Sequence, residues 1–193
     1  MRKSLLIILL LCMSSVVFAF GDRSVRDDRW TDKYDHLFRK YTKHYFGPHI
    51  DWHWFKAQAI AESSLKHKAK SNMGAIGLMQ ILPSTYDEIR DDLPYLADIT
   101  QPRWNIAAGI FYDRKLYRRW KDKGEFQTQD LPALTFGSYN AGFGRMLRAV
   151  SRAKRKHDNV ARWEQVEPYA PKQTRDYVQR IHQLMADAET IKR

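Results

Sequence analysis

Glu62 is the residue of this sequence whose surroundings best suit acid–base chemistry. It lies near the end of a helical segment that begins near Trp52 and carries small or apolar residues at positions 57 and 59–61. Burial disfavours the charged form of a carboxyl group, so a glutamate carried by an apolar wall keeps its proton to higher pH. Such a group can act as a general acid near neutral pH. Glu62 is therefore a candidate catalytic acid, although a single glutamate at a helix end is more often structural.

The stretch that follows, residues 71–81, does not fit an ordinary helix because Gly74 and Gly77 weaken one. Glycines at this spacing allow the backbone to approach a ligand closely. Ser71 and Gln80 bracket the two glycines and could supply neutral hydrogen bonds near the Glu62 carboxyl. From the residues alone, a structural turn remains an alternative to a binding loop.

Two other groups of reactive side chains have simpler explanations. His49 and His53 are four residues apart, but no motif places a third ligand beside them, so we expect no metal site. A second catalytic carboxylate could come from one short predicted helix, yet acids near a helix start favour its dipole and the remainder fit a solvated face. These acids are Asp87, Glu88, Asp91 and Asp92.

Four blocks of sequence, taken in order, resemble the lytic transglycosylases of the soluble type. They are Glu62-Ser63 with Ser71 nine residues after the glutamate, Gly77-Leu78-Met79-Gln80-Ile81, Ser138-Tyr139-Asn140-Ala141-Gly142, and Thr174-Arg175-Asp176-Tyr177-Val178. Each block is weak alone, but the order and spacing of all four match across about Trp52 to Leu184. Gln173 departs from the Glu that the family often has there, and Leu82 from a frequent Met, which puts only subsite detail in doubt.

The resemblance implies a mainly α fold, a compact lysozyme-like, goose-type-like helical domain with a substrate groove. It implies cleavage of peptidoglycan glycan strands at the β-1,4 bond between N-acetylmuramic acid and N-acetylglucosamine, without cofactor or metal. Glu62 would be the lone catalytic acid and base. The groups that position Glu62 or the sugar would be Ser71, Gln80, Tyr139, Asn140 and Tyr177.

One motif-linked carboxylate constrains the mechanism, because most glycosidases use two. We expect the substrate's own 2-acetamido oxygen to stabilise positive charge at the anomeric carbon, as in other substrate-assisted glycosidases. Glu62 would protonate the leaving oxygen and then deprotonate the muramoyl C6 hydroxyl, which closes a 1,6-anhydro ring without consuming water. The alternatives are a goose-type lysozyme-like hydrolase of the same bond and a non-catalytic peptidoglycan-binding assembly module.

The elements that must position these residues are predicted to be helices. Apolar residues at helical spacing from Tyr34 to Tyr45 predict a first helix that Gly47-Pro48 ends, and Asp51 can cap the next. Further helices are predicted from Ser84 to near Asp91, from Pro102 through Trp120, from Pro132 to about Tyr139, over Phe143 to Lys154, and from a cap at Thr174 through Ala188. Without alternating strands or repeats, the class is mainly α.

The N-terminus has the pattern of a secretory signal peptide. Arg2 and Lys3 precede an apolar run of about 15 residues, shorter than the roughly 20 of a membrane-spanning helix, and Ala19 suits cleavage. We predict a signal peptide at 1–19, a flexible leader at 20–30 and the catalytic domain at 31–193. The protein is then exported, most simply to the periplasm, with an uncleaved membrane anchor or a secreted form as alternatives. Cys12, the one cysteine, lies in the apolar run.

The chain has 193 residues and a net charge of +11, which fits one basic globular domain. Its densest run of positive charge comprises Arg145, Arg148, Arg152, Lys154, Arg155 and Lys156. A solvated helix face explains this run, and attraction to an anionic wall or membrane surface is the alternative. We expect no nucleic acid partner, because the chain has an export signal and no nucleic-acid-binding motif. A secretion or wall-assembly machine remains open as a partner.

Overall fold

The structure is a computed structural model that describes the backbone of residues 30–191 and the side chains of residues 30–188. The predicted signal peptide and Cys12 lie outside the described residues, as does the predicted leader except for Trp30. The boundaries of the predicted domains therefore stay predictions.

Eight α-helices make up most of the described chain. They are α1 Asp35–Phe46, α2 His53–Ser63, α3 Pro83–Asp92, α4 Pro102–Lys121, α5 Leu131–Ala141, α6 Phe143–Lys154, α7 Trp163–Val166 and α8 Lys172–Ile191. Three 3-10 turns join them at Asp32–Tyr34, Thr128–Asp130 and Glu167–Tyr169. Between residues 30 and 191 the only strand-like pairings are single bridges from Ile76 to Lys70 and to Ile81. The predicted mainly α class is confirmed.

Proline and glycine set most of the helix ends, as the sequence predicts. Pro83, Pro102 and Pro132 lie in the first turns of α3, α4 and α5, where a missing N–H costs nothing. Gly47 ends α1 with φ of 88°, and Gly142 separates α5 from α6 with φ of 86°, a conformation that disfavours side chains. These signals explain why five of the predicted helices appear nearly at their expected limits.

The predicted start of the last helix is wrong. α8 begins at Lys172, so Thr174 lies inside its first turn and does not cap it. The Thr174 hydroxyl instead donates to Asn140 Oδ1 at 2.9 Å, and its N–H bonds to the carbonyl of Pro171. Pro171 precedes the helix and offers no side-chain cap, which is why a nearby threonine misleads a prediction from sequence. The short helix α7 was not predicted.

The core is built around α5, which is buried on nearly every side. Its buried residues include Leu134, Phe136 and Ser138, and it packs against α4, α6 and α8. A helix that is apolar all round belongs at the centre of a fold rather than on its surface. A buried indole at its side, that of Trp120 in α4, donates to Ser138 Oγ at 2.9 Å. α2 packs against α8 and α1, which brings its C-terminal end beside α8.

A buried lysine of α2 contacts the first described residues of the chain and fixes them against the helix. Lys56 is 3% exposed and pairs with Asp35 at 2.5 Å. Its ammonium also lies 5.2 Å from the Trp30 ring and 5.6 Å from the Trp52 ring.

Within residues 30–191, no helix is both long enough and apolar enough to cross a membrane.

Candidate active site

Glu62 is the penultimate residue of α2, and its carboxyl group faces α8. The Tyr177 hydroxyl donates to Glu62 Oε1 at 2.7 Å. Burial raises the pKa of Glu62 to about 7, against the opposing effects of the Tyr177 hydrogen bond and the charge of Arg180. Among residues 30–188, no lysine or arginine forms an ion pair with it. Glu62 is thus a proton carrier that is divided between its acid and base forms near neutral pH.

The backbone turns sharply just after Glu62. The segment of residues 64–82 that joins α2 to α3 is called the loop below. Ser63 Oγ donates to the carbonyl of Leu78 in this loop at 2.8 Å and to the carbonyl of Ala59 in α2 at 3.1 Å, which connects the loop to the end of the helix. Ser64 and Leu65 then adopt φ of 52° and 57°, in the left-handed region that costs a residue with a side chain about 1 kcal/mol or more. The Ser63 anchor fixes the position of the loop relative to Glu62.

Gly77 allows close packing within the loop, and the ligand approach that the sequence suggests for this stretch stays a prediction. It has φ of 79°, and a Cβ atom built there would lie 2.4 Å from Asn105 Nδ2. Asn105 accepts the Met79 N–H at 2.8 Å through Oδ1, and through Nδ2 it donates to the carbonyls of Ile76 and Ile99. This asparagine of α4 clamps the loop, and only a glycine leaves room for it.

Ser71 and Gln80 both hold the loop in shape. Ser71 Oγ accepts the Ala75 N–H at 3.0 Å. Gln80, which has φ of 45°, donates from Nε2 to the carbonyls of Gly77 at 2.9 Å and Ala69 at 3.2 Å. Gln80 Oε1 has no hydrogen-bond partner among the described residues. The two side chains therefore shape the loop, and neither bonds to Glu62 within this part of the chain.

Tyr139 and Asn140, at the end of α5, reach the loop and α8 respectively. The Tyr139 hydroxyl donates to the carbonyl of Met79 at 2.7 Å, and Asn140 accepts from Thr174. Burial raises the pKa of Tyr139 well above its ordinary value, and the charges of Asp113 and Glu62 raise it further. The structure thus brings Glu62, Tyr139, Asn140 and Tyr177 into one region where α2, α5 and α8 meet the loop.

Asp113 of α4 is a second carboxyl group in this region, and it was missed in the sequence. It is fully buried and accepts a hydrogen bond from Gln58 Nε2 at 3.3 Å. Gln58 lies on α2, one turn before Glu62. Burial raises its pKa well above the ordinary value, and the charge of Glu62 raises it further. Asp113 Oδ2 and Gln58 Oε1 lack hydrogen-bond partners among the described residues. One proton on Asp113 would supply the donor that this pair lacks. The signal was available, because Asp113 continues the apolar row of Ile106, Ile110 and Trp120.

The other acids and histidines lie away from Glu62. Asp87, Glu88, Asp91 and Asp92 are exposed on α3, and Lys115 pairs with Glu88 at 3.1 Å and Asp92 at 2.8 Å. His53 bonds to Asp51, whose carboxylate also accepts the His53 N–H at 3.0 Å, and His49 lines an apolar recess with Trp54 and Phe136. No cluster of three or more His, Cys, Asp or Glu side chains suited to a metal occurs in residues 30–188.

Comparison with known proteins assigns the fold and the family. The model of the Transglycosylase SLT domain matches residues 37–161. Membrane-bound lytic murein transglycosylase F of Vibrio campbellii is 28% identical over 154 residues, which are 79% of this chain and 27% of that protein. Soluble lytic murein transglycosylase of Salmonella typhimurium is 29% identical over 160 residues, 80% of this chain and 23% of that protein. The chain therefore spans about a quarter of the length of these curated relatives.

A solved structure gives the same result. The 70 kDa soluble lytic transglycosylase of Escherichia coli superposes with a TM-score of 0.69 at 25% identity, covering 86% of this chain and 25% of that one. Lytic transglycosylase Slt of Pseudomonas aeruginosa has the same fold, with a TM-score of 0.68 at 22% identity over 86% of this chain and 25% of that one. The predicted lysozyme-like helical fold is confirmed, and this chain belongs to the transglycosylase SLT domain family.

Proposed function

We propose that this protein is a peptidoglycan lytic transglycosylase in which Glu62 acts first as the acid and then as the base. The observation that carries the proposal is a partly buried glutamate whose pKa is raised to about 7 by burial and which, among residues 30–188, accepts a tyrosine hydroxyl but forms no ion pair. Membership of the SLT domain family and relatives named as murein transglycosylases support the same reaction.

The proposed chemistry uses one carboxyl group twice. Glu62 gives its proton to the glycosidic oxygen as the bond from that oxygen to the anomeric carbon breaks, and the acetamido oxygen of the substrate stabilises the positive charge. The Glu62 carboxylate then takes the proton of the C6 hydroxyl, whose oxygen bonds to the anomeric carbon. This closes the 1,6-anhydro ring and returns Glu62 to its acid form. Tyr177 suits both steps, since its hydrogen bond steadies the carboxylate between them.

The remaining predicted residues are proposed to position Glu62 or the sugar. Tyr177 holds the carboxyl directly, and Asn140 acts through the Thr174 hydrogen bond that joins α5 to the helix carrying Tyr177. Tyr139, Ser71 and Gln80 act on the loop. Asn140 Nδ2 and Gln80 Oε1 form no hydrogen bond within residues 30–188, so both are free to bond to sugar hydroxyl or acetamido groups.

The proposed substrate is the glycan strand of peptidoglycan, and the proposed location is the periplasm. The names of the relatives refer to murein, and a soluble lytic transglycosylase of similar fold has been solved with bulgecin A. The predicted signal peptide supports export. The basic face from Arg145 to Lys156 favours attraction to an anionic wall or membrane surface, and a partner from a secretion or wall-assembly machine stays a prediction.

Digestion of purified sacculi followed by mass spectrometry of the products tests the proposal. We expect muropeptides ending in 1,6-anhydromuramic acid, each lighter by one water than the product of hydrolysis. Reducing ends alone would identify a lysozyme-like hydrolase instead. Binding to sacculi without any soluble product would identify a non-catalytic wall-binding module.

A further inference from the structure

Three arginines of α6 share one wall of a recess outside the Glu62 region. Arg145, Arg148 and Arg152 are three and four residues apart, so they lie on the same face of the helix. The recess measures about 420 Å³, and its other wall is the segment from Pro168 to Pro171, which includes Tyr169. The opposite face of α6 is fixed in the core by Met146, Ala149, Val150 and Ala153.

Within residues 30–188 these three arginines form no ion pair, although several other cations do. Lys154 pairs with Glu125 at 2.9 Å and Arg162 with Asp130 at 2.9 Å, but neither pair lines the recess. Arg145 donates to the carbonyl of Ala141 at 3.3 Å. In residues 30–188, Arg148 and Arg152 have neither an ion pair nor a hydrogen bond from their side chains. Three like charges that face one small volume repel one another, and an anion placed there would relieve that repulsion.

The recess adjoins the elements that hold the Glu62 region together. Ala141, which accepts from Arg145, directly follows Asn140. Pro171 precedes the first turn of α8, where Thr174 bonds to Asn140. The two helices that carry Tyr139 and Tyr177 thus also carry or adjoin the walls of the recess. The recess is therefore joined to the Glu62 region through Asn140 and Thr174.

We propose that this recess binds carboxylate groups of the peptide stems attached to the glycan strand. The inference rests on the proposed function, since it takes peptidoglycan as the substrate. A guanidinium group offers parallel N–H donors that match the two oxygens of a carboxylate. Because the recess is concave and has rigid proline and tyrosine walls, it fits a small anionic group better than a flat lipid surface. The large apolar side chains that the described chain leaves exposed, Met73, Leu82 and Tyr95, all lie outside it.

A pair of matched double variants distinguishes binding in this recess from attraction by the general positive charge of the protein. The test variant is R148Q/R152Q, which leaves the backbone contact of Arg145 intact. The control is R118Q/K121Q, which removes the same charge from the last turn of α4, outside the recess and outside the basic face of α6. Each full-length protein is assayed on native sacculi and on sacculi whose stem carboxylates have been converted to neutral amides.

We expect R148Q/R152Q to lower kcat/KM on native sacculi about three- to tenfold, the range of two exposed ion pairs, and to change it less than twofold on amidated sacculi. The wild type should itself lose about three- to tenfold when the stems are amidated. The control should match the wild type within twofold on both substrates. Equal losses in the two double variants would overturn the inference in favour of diffuse charge. An equal loss of R148Q/R152Q on both substrates would reduce the arginines to a structural role.

Two binding measurements complete the test. Titration with a free stem tetrapeptide needs no turnover, so weaker binding by R148Q/R152Q than by the control would support the recess even if no anhydro product formed. If R148Q/R152Q instead lost only its binding to phosphatidylglycerol vesicles and kept full activity on native sacculi, the recess would be a lipid site and the proposal would be wrong.

Discussion

Lys56 and Glu62 are both carried by α2 and are both shielded from water, yet their surroundings are opposite. Lys56 lies between Asp35 and the rings of Trp30 and Trp52, so its charge is compensated on several sides. Glu62 accepts one neutral hydroxyl and forms no ion pair among residues 30–188, and burial raises its pKa to about 7 although the charge of Arg180 opposes this. The two residues are six positions apart and point to different sides of the helix.

The difference shows how one helix separates structure from chemistry. A buried charge with a close counter-ion stays charged, and the cost of removing its partner falls on the fold. A buried carboxyl without a counter-ion loses part of its preference for the charged form, and this makes its proton available near neutral pH. Lys56 should therefore control stability and Glu62 activity, and four substitutions test that division.

Glu62→Gln should have the largest effect on activity. The amide keeps the size of the side chain but can neither donate an acidic proton nor accept one from the C6 hydroxyl, so we expect the release of muropeptides to fall at least about a thousandfold. Because the wild-type carboxyl has a raised pKa in the folded state, it stabilises the fold less as pH rises from about 4 through 7, and the amide is free of this loss. The melting temperature of the variant at pH 8 should equal or exceed that of the wild type. Retained activity, or a collapse of the fold, would contradict the division.

Lys56→Met should have the largest effect on stability. It leaves the Asp35 carboxylate, whose side chain is 18% exposed, without its cation in an apolar setting. We expect the free energy of unfolding to fall by about 2–3 kcal/mol, less than for a fully buried pair. The matched control is Lys115→Met, which breaks exposed pairs with Glu88 and Asp92 and should cost under about 1 kcal/mol. Chemical denaturation measures both, and equal losses would show that burial of the pair does not matter.

The part of this contrast that concerns Glu62 could largely be predicted from the sequence. The apolar run before Glu62, the glycines after it and the four motif blocks led to the fold, the family and the set of residues that the structure gathers around α2, α5 and α8. Proline and glycine gave helix limits because they act locally, through a missing N–H or a missing Cβ.

The features that could not be predicted from the sequence depend on contacts between distant segments of the chain. In the sequence, Lys56 has the character of an ordinary surface lysine, and its burial follows only from its contacts with Asp35 and Trp30. The purpose of Gly77 depends on Asn105, 28 positions later, and Thr174 bonds across to α5 instead of capping its own helix. Asp113 is the exception, because its place on the buried row of α4 is visible in the helical period.

Tyr177→Phe should sharpen the comparison by removing the hydrogen bond that the Tyr177 hydroxyl donates to Glu62. The Tyr177 hydroxyl stabilises the carboxylate and so lowers the Glu62 pKa; without it, that pKa should rise further above its ordinary value. The acid form is the one that starts the reaction, so wild-type kcat/KM should fall as pH rises through about 7. In the variant the midpoint of this fall should move up by about 0.5–1 pH unit, with a lower maximum. Tyr139→Phe is the control, because Tyr139 donates to Met79 and its loss should lower the rate without moving the midpoint.

Asp113→Asn should have the smallest effect and asks whether a second buried carboxyl shares the behaviour of Glu62. Burial in the folded protein raises the pKa of Asp113 well above its ordinary value, so this carboxyl keeps its proton to higher pH than in the unfolded chain, where it ionises above about pH 4. The unfolded state then binds fewer protons, and the stability that Asp113 contributes falls as pH rises. An asparagine cannot ionise in either state and can still pair with Gln58. Its melting temperature should therefore exceed that of the wild type by about 2–4 °C at pH 8 and match it at pH 4. Asp87→Asn, at an exposed position of α3, should show no such difference between the two pH values. If Asp113→Asn instead destabilised the fold equally at both, the carboxyl would be held ionised, and Glu62 would be the one proton-bearing carboxyl of this region.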